Sequence, residues 1–145
     1  MSRSRHKTAL VDSGFWIALF DERDDHHEDA KNRSEILRHI GYILPWPTLY
    51  ETLSTRLVRR PDLVRQFDDL FLKRPNAVFL DDSPYRDSAL EKTVSDEMMR
   101  KRSLSLVDNV LREIIADKNV RVNCLFTFNV GDFADVCKRR GLELI

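Results

Sequence analysis

Short apolar runs alternate with longer amphipathic segments along most of the chain. TALV at 8–11 and CLFTF at 124–128 are apolar runs of strand length, whereas apolar residues recur at helical spacing within 25–40. The pattern predicts strands at 8–11, 42–44, 77–80, 124–128 and 142–145. It predicts helices at 15–20, 25–40, 48–60, 62–73, 84–101, 105–118 and 131–140. Such alternation is typical of a parallel sheet covered on both faces, so we expect a three-layer α/β/α fold with a central parallel sheet of four or five strands.

The size and charge of the chain narrow the classes of function. A chain of 145 residues fits one domain, spanning 1–145. The 24 basic and 24 acidic residues balance, so any binding of nucleic acid must come from local basic patches. No apolar run is long enough to span a membrane, and Asp12 interrupts the apolar N-terminal stretch that resembles a signal peptide. We therefore expect a cytoplasmic protein, in which Cys124 and Cys137 are free thiols.

Four acidic residues lie near predicted strand ends or helix starts. Asp12 directly follows the first strand, Glu51 lies in the first turn of the helix after the second strand, and Asp132 lies just past the fourth. Asp108 lies near the start of the helix at 105–118. In a parallel sheet, ligands bind outside the carboxyl ends of the strands. Two carboxylates about 5 Å apart repel by about 3 kcal/mol at an effective dielectric constant of 20, so clustered acids favour a bound cation. Oxygen ligands without His or Cys suit Mg²⁺ or Mn²⁺.

Each of these acids also has a structural explanation. Asp12 is placed to cap the helix that follows it. The other three acids end capping-box patterns: Thr48-x-x-Glu51, Ser105-x-x-Asp108 and Asn129-x-x-Asp132. A capping role satisfies helix N–H groups and needs no metal. The residues alone leave both interpretations open, although the convergence of several acids on one end of one sheet favours a cation site.

Five segments carry a resemblance to a known family. They are TALVDSGFWIALF at 8–20, DDHHEDA at 24–30, the helix of Glu51, SLSLVDNVL at 103–111 and TFNVGDF at 127–133. In the order and spacing of these segments, nearly the whole chain resembles a PIN-domain ribonuclease of the VapC-like toxin type. The resemblance implies a catalytic and metal-binding set with supporting polar residues. These are Asp12, Glu51, Asp108 and Asp132 as ligands, with Ser13, Thr127 and Asn129 in support.

The resemblance also implies an activity and partners. It leads us to expect an endoribonuclease that depends on Mg²⁺ or Mn²⁺ and that acts as the toxin of a toxin–antitoxin pair. The expected partners are an RNA substrate, an antitoxin protein and a second copy of the chain in a homodimer. Two positions depart from the family pattern. Asn129 stands where many members have Asp, which removes a charge, and Asn109 stands where Ala is frequent.

Four groups of basic residues lie near the acids along the chain, including those within 3–7 and 138–140, and two of the four are the candidates for contact with RNA. These two are Arg56, Arg59 and Arg60 after Glu51, and Arg100, Lys101 and Arg102 before Asp108. Each group alone is typical of a solvated surface. Together they are placed to follow an RNA backbone past an acidic centre, and we predict that both groups contact RNA.

Three other functions compete with a toxin nuclease. A housekeeping PIN-domain nuclease would process RNA without an antitoxin, and a non-catalytic module would bind RNA or a protein partner without cutting. A signalling receiver domain would use Asp81 or Asp82 as a phosphate acceptor, but Asp12 lacks an acidic neighbour and no Lys follows the last predicted strand. We interpret 81–82 as turn residues and the acidic, His-containing run at 24–29 as a solvated helix start.

Overall fold

Five strands form the central sheet. The computed structural model describes residues 7–99 and 104–145. Its strands are β1 Thr8–Val11, β2 Gly41–Pro45, β3 Ala77–Leu80, β4 Cys124–Phe126 and β5 Glu143–Leu144. Neighbouring strands are all parallel, in the spatial order β3-β2-β1-β4-β5. The predicted parallel sheet is confirmed, and β1 lies at its centre.

Helices connect successive strands. They are α1 Ser13–Phe20, α2 His27–Leu37, α3 Trp46–Thr52, α4 Thr55–Val58, α5 Pro61–Phe67, α6 Arg86–Met99, α7 Leu106–Ala116 and α8 Val130–Arg140. A π-helical turn at Asp68–Leu72 extends α5, and a 3₁₀ turn at Ser83–Tyr85 precedes α6. Within the two described segments, no helix is long and apolar enough to cross a membrane.

Alternate residues of the central strand β1 enter two separate cores. Ala9 and Val11 of β1 lie in a core shared with α1, α2 and α5, whereas Leu10 between them lies in a core shared with α7 and α8. This alternation is the normal consequence of the strand pleat. Cys124 belongs to the first core and Cys137 to the second, and both are free thiols, as predicted. Helices therefore cover both faces of the sheet, which confirms the three-layer prediction.

Aromatic rings fill the first core and hold α1 against the sheet. Trp16 is fully buried, and its ring centroid lies 4.8 Å from that of Phe71 and 5.1 Å from that of Phe67. The neighbouring Phe15 packs against Phe126 of β4 at 5.2 Å. Burial of each large apolar side chain is worth about 1.5–3 kcal/mol. The first turn of α1, which follows Asp12, is consequently fixed in position.

The single helix predicted at 48–60 is wrong, because α3 and α4 replace it. Ser54 lies between the two helices, and its hydroxyl donates to the Glu51 carbonyl at 2.7 Å. Just before it, the Thr52 hydroxyl donates to the Thr48 carbonyl at 2.7 Å. Hydroxyl groups that bond nearby carbonyls compete with the helical backbone and bend or end helices. The arginines beyond this break therefore do not continue along the axis of α3.

Candidate catalytic site

Asp12 lies buried at the carboxyl end of the central strand. Its N–H donates to the Phe126 carbonyl at 3.0 Å, which extends the pairing of β1 with β4, and only 3% of the residue is exposed. The Asp12 side chain does not cap α1. Instead, it accepts a hydrogen bond at Oδ2 from the hydroxyl of the buried Thr127, at 3.0 Å. The capping interpretation of this side chain is therefore wrong.

Thr127 links Asp12 to the loop that follows β4. Its Oγ1 accepts the N–H of Asn129 at 2.9 Å while it donates to Asp12. A hydroxyl group has one hydrogen to donate, so the bond from Asn129 leaves that hydrogen directed at the carboxylate. This local network depends on the backbone of Asn129, and the Asn129 side chain makes no cap to α8. The capping box predicted for Asn129 and Asp132 is therefore not formed.

Glu51 is tied to the first turn of α1. Ser13, which is buried next to Asp12 in the chain, donates from Oγ to Glu51 Oε1 at 2.6 Å. The helix α3 begins at Trp46 rather than at the predicted residue 48, so Thr48 lies inside it and cannot act as its cap. The predicted capping box at Glu51 is therefore wrong. The carboxylate of Glu51 instead faces the residue that follows Asp12.

Asp108 does form its predicted capping box. Its N–H donates to Ser105 Oγ at 3.0 Å, and the Ser105 N–H donates to Asp108 Oδ2 at 3.4 Å. The capping interpretation is confirmed for this acid. A carboxylate has two oxygens and several lone pairs, so capping does not exclude a further role as a ligand.

Asp132 lies in the first turn of α8, beside a clamp formed by Arg112 of α7. Arg112 donates to the Asp132 carbonyl at 2.8 Å and to both carboxylate oxygens of Asp135 at 2.7 Å. These bonds join α7, which carries Asp108, to α8, which carries Asp132. Sequence reasoning missed Arg112, although it lies one helical turn after Asp108 and on the same side of α7.

The charges of these acids act on one another. Burial raises the pKa of Asp12 from 3.8 to about 6; the hydrogen bond from Thr127 opposes this shift, and the charges of Asp108 and Glu51 add to it. Burial also raises the pKa of Asp108, with a further contribution from the charge of Asp132. The four acids named by the sequence pattern are therefore close enough at this end of the sheet to form one electrostatic group.

The carboxylates are not gathered into a coordination sphere. Within residues 7–99 and 104–145, no three His, Cys, Asp or Glu side chains form a group that could hold a metal ion. Glu51 and Asp108 each bond a serine, and mutual repulsion favours such separate arrangements. No Lys or Arg of the described segments pairs with Asp12, Glu51 or Asp108. A set of carboxylate oxygens without His or Cys fits a hard divalent cation.

Known structures share this arrangement of strands and helices. The chain is similar to VapC20 of Mycobacterium tuberculosis, described as a sarcin–ricin loop cleaving toxin, with a TM-score of 0.68 and 21% identity over 88% of this chain and 93% of that chain. The chain has a PIN-like fold. VapBC2 of Rickettsia felis, solved on a DNA fragment from its promoter, is similar with a TM-score of 0.57 and 13% identity over 95% of this chain and 97% of that chain. No protein-family model and no curated protein matches the sequence.

The arginines predicted to contact RNA have different surroundings in this PIN-like fold. Arg56 donates to Asp21 Oδ2 at 2.7 Å, and Arg60 pairs with a neighbouring aspartate at 3.2 Å. Both therefore form ion pairs with acids of the protein itself. Arg59 is exposed. The second predicted group, at 100–102, lies outside the described residues. Contact of either group with RNA stays a prediction.

The acids that a receiver domain would use have other partners. Asp82 is buried and accepts two hydrogen bonds from Arg86, each at 3.0 Å. Asp81 is exposed and accepts both the N–H and the hydroxyl of Ser83, at 3.0 and 2.7 Å. Such bonds are typical of a turn. The interpretation of 81–82 as turn residues is confirmed, and neither acid is presented as a phosphate acceptor.

Asn109, which departs from the family pattern, joins two helices. It is 2% exposed, and its Nδ2 donates to Thr93 Oγ1 at 2.9 Å. Thr93 in turn donates to the Ala89 carbonyl at 2.8 Å. An alanine at this position would not make the bond. Asn109 therefore anchors the start of α7 to α6, directly after Asp108.

Proposed function

We propose that this protein is an endoribonuclease that depends on Mg²⁺ or Mn²⁺ and acts as the toxin of a toxin–antitoxin pair. The observation that carries the proposal is the environment of Asp12. Among the described residues, three aspartates are buried, and two of them, Asp21 and Asp82, accept hydrogen bonds from arginine. Asp12 has acidic neighbours instead. Among the described residues no Lys or Arg pairs with Asp12, and a buried carboxylate without a cation is costly, so this environment supports a bound metal ion.

In this proposal, Asp12, Glu51, Asp108 and Asp132 hold the metal. A bound Mg²⁺ or Mn²⁺ polarises a phosphodiester oxygen and lowers the pKa of water, which makes hydrolysis possible at neutral pH. The chain orients the ligands: Thr127 holds the Asp12 carboxylate, and Ser13 holds that of Glu51. Attack by water leaves 5′-phosphate and 3′-hydroxyl ends.

The fold neighbours support the choice of substrate and biological role. VapC20 is described as a toxin that cleaves the sarcin–ricin loop, which makes RNA the substrate to test first. The motif resemblance described above adds an antitoxin partner. We therefore infer that this chain binds an antitoxin protein and that it is located in the cytoplasm.

An exposed aromatic patch supports the inference of a homodimer. The Trp46 ring centroid lies 5.8 Å from that of Phe79 and 6.3 Å from that of Tyr50, and all three side chains are exposed. Contiguous apolar patches on protein surfaces usually mark interfaces. We expect Trp46→Asp to lower the molar mass in sedimentation by half. Ile36→Asp, a control at a position with the same 43% exposure on α2, should leave the mass unchanged.

The decisive experiment combines cleavage in vitro with growth. Purified protein should cut RNA in Mg²⁺ or Mn²⁺ but not in EDTA, and the new ends should be 5′-phosphate and 3′-hydroxyl. Cleavage that survives EDTA, or products with 2′,3′-cyclic phosphate, would contradict a metal-dependent hydrolysis. Expression without an antitoxin should slow growth. Cleavage without a growth defect would favour a housekeeping nuclease, and RNA binding without cleavage would favour a non-catalytic module.

A further inference from the structure

Three nearly parallel rings run from the first core to the surface beside the proposed catalytic site. Phe15 is fully buried, and its ring lies 5.6 Å from that of Phe128, with 14° between the ring planes. The Phe128 ring lies 4.2 Å from that of His26, with 6° between the planes. His26 is exposed. The stack therefore ends in an imidazole ring at the protein surface.

This stack lies next to the acid set. Phe128 directly follows Thr127, whose hydroxyl bonds the Asp12 carboxylate. One residue step and one stacked ring place His26 on the order of 10 Å from Asp12. Nucleotides of a stacked strand are spaced by about 3.4 Å, so this distance corresponds to roughly three nucleotides.

Neighbouring residues hold the stack in place. The backbone N–H of His26 donates to Asp24 Oδ1 at 2.9 Å. The guanidinium carbon of Arg33 lies 5.3 Å from the Phe128 ring centroid, and Asp29 accepts two hydrogen bonds from this guanidinium, at 3.0 and 2.9 Å. A ring that is already ordered loses little conformational freedom when a ligand stacks on it.

The two adjacent histidines have different surroundings. His27 uses Nδ1 in a 2.8 Å hydrogen bond with the Ala18 carbonyl near the end of α1, so its ring supports the fold. In the described part of the chain, the His26 ring makes no hydrogen bond and contacts Phe128 through its face. His26 lies in the run interpreted from sequence as a solvated helix start, and that interpretation leaves the stack unexplained.

We propose that the His26 ring is a stacking subsite for a nucleobase of single-stranded RNA, within about three nucleotides of the cleaved bond. Aromatic and histidine side chains are common stacking partners of unpaired RNA bases, because every base has a π-face. The inference rests on the proposed ribonuclease function. It adds a substrate contact that lies outside the acids and the basic groups.

Binding measurements test this subsite. Fluorescence anisotropy of a short labelled RNA is measured with the Asp12→Asn protein, in which cleavage is blocked, and His26 is then replaced in that background. We expect His26→Ala to weaken binding about 10-fold, and His26→Phe, which keeps a stacking ring, to retain most of the affinity. His39→Ala is the matched control, because His39 is also exposed but lies beside β2 at the opposite end of the sheet. Thermal melts verify that each variant is folded.

A scan of abasic RNAs distinguishes stacking from a general loss of affinity. Removal of one base, at a position within three nucleotides of the cut, should weaken binding to the protein that has His26. The same removal should have no further effect on the His26→Ala protein, because the two changes delete one contact. The proposal is overturned if His26→Ala binds like His39→Ala, or if its defect is equal for every abasic position. If the unmodified protein neither cuts nor binds RNA, the proposed function itself fails, which is a distinguishable result.

Discussion

Two buried aspartates lie at the two ends of α1, one beside acidic residues and the other beside arginines. Asp12 and Asp21 are 3% and 4% exposed, so burial alone would raise the pKa of both. At Asp21, hydrogen bonds from Arg23 and Arg56 outweigh burial and lower the pKa to about 2. At Asp12, burial raises the pKa to about 6; the Thr127 hydroxyl and the Ser13 N–H oppose this shift, and the charges of Asp108 and Glu51 add to it. Hydrogen bonds and arginine charges therefore outweigh burial at Asp21, whereas at Asp12 burial prevails and neighbouring carboxylates add to its effect.

The same contrast appears in how α1 is joined to the helices beside it. At the Asp12 end, a neutral group makes the connection, since the Ser13 hydroxyl donates to Glu51. At the Asp21 end, a cation makes it, since Arg56 donates to Asp21. Among the described residues, an ion pair therefore balances the charge at the Asp21 end, whereas the carboxylates of Asp12, Glu51 and Asp108 bring negative charges together at the other end.

The largest expected difference is in catalysis. Asp12→Asn should reduce RNA cleavage by more than about 100-fold, because even residues that merely support metal ligands are worth 10- to 100-fold. Asp21→Asn should leave the turnover of folded protein within a few fold. Both are measured with the same labelled RNA in Mg²⁺, below the melting temperature of either variant. A fully active Asp12→Asn protein would remove Asp12 from the ligand set.

Replacement of the two aspartates by asparagine should change the free energy of unfolding in opposite directions. Without metal, folded Asp12 holds its proton more tightly than unfolded Asp12, so stability is lost as the pH rises from about 4 to about 6. The loss amounts to at most roughly 3 kcal/mol. Asp12→Asn should therefore be more stable than the parent protein at pH 7. Asp21 has a lowered pKa, so its contribution is present above about pH 4 and is lost as the pH falls toward 2.

Asp21→Asn should accordingly cost about 1–2 kcal/mol at pH 7, since the arginines it binds are partly exposed. Denaturant melts of both variants at pH 4 and 7, without metal, measure these changes. Addition of Mg²⁺ or Mn²⁺ should raise the melting temperature of the parent and of Asp21→Asn, but much less that of Asp12→Asn. Equal metal-dependent shifts in all three proteins would contradict the proposed site.

The hydrogen bond from Thr127 offers a finer test of the Asp12 environment. Thr127→Val keeps the shape of the side chain but removes the bond that lowers the pKa of Asp12. We expect metal affinity to fall about 10-fold and the acidic limb of the pH–rate profile to move to higher pH. Thr127→Ser keeps the donor and should resemble the parent protein. A uniform loss of rate at every pH would indicate a change in packing instead.

The smallest effects concern the arginines near Asp21. Arg59→Ala should weaken RNA binding a few fold and reduce the slope of log affinity against log salt by about 0.7, the value for one contact with single-stranded nucleic acid. Arg56→Ala should mainly lower the melting temperature, because Arg56 pairs with Asp21. An unchanged salt slope for Arg59→Ala would remove this residue from the RNA path.

Local patterns in the sequence predicted most of the fold. Short continuous apolar runs of strand length placed TALV at 8–11 and AVFL at 77–80 correctly, although β1 is mostly buried at the centre of the sheet and the middle of β3 is exposed at its edge. The position of Asp12 directly after β1 follows from the same pattern. The same pattern could not predict the break in the helix expected at 48–60. The break depends on whether hydroxyl groups bond to solvent, to side chains or to backbone carbonyls.

By itself, the sequence determined the strands and their parallel sheet, most of the helices, and the four acids that we propose as ligands. The sequence also predicted the pairing of Asp108 with Ser105, whereas only the tertiary structure decided the partners of Asp12, Glu51 and Asp21. Thr127 is 115 residues from Asp12 in the chain, and Arg56 is 35 residues from Asp21. Secondary structure is encoded by neighbours in sequence, whereas the pKa of a buried carboxyl depends on charges and dipoles brought near it by packing. The difference between Asp12 and Asp21 therefore exists only in the folded chain.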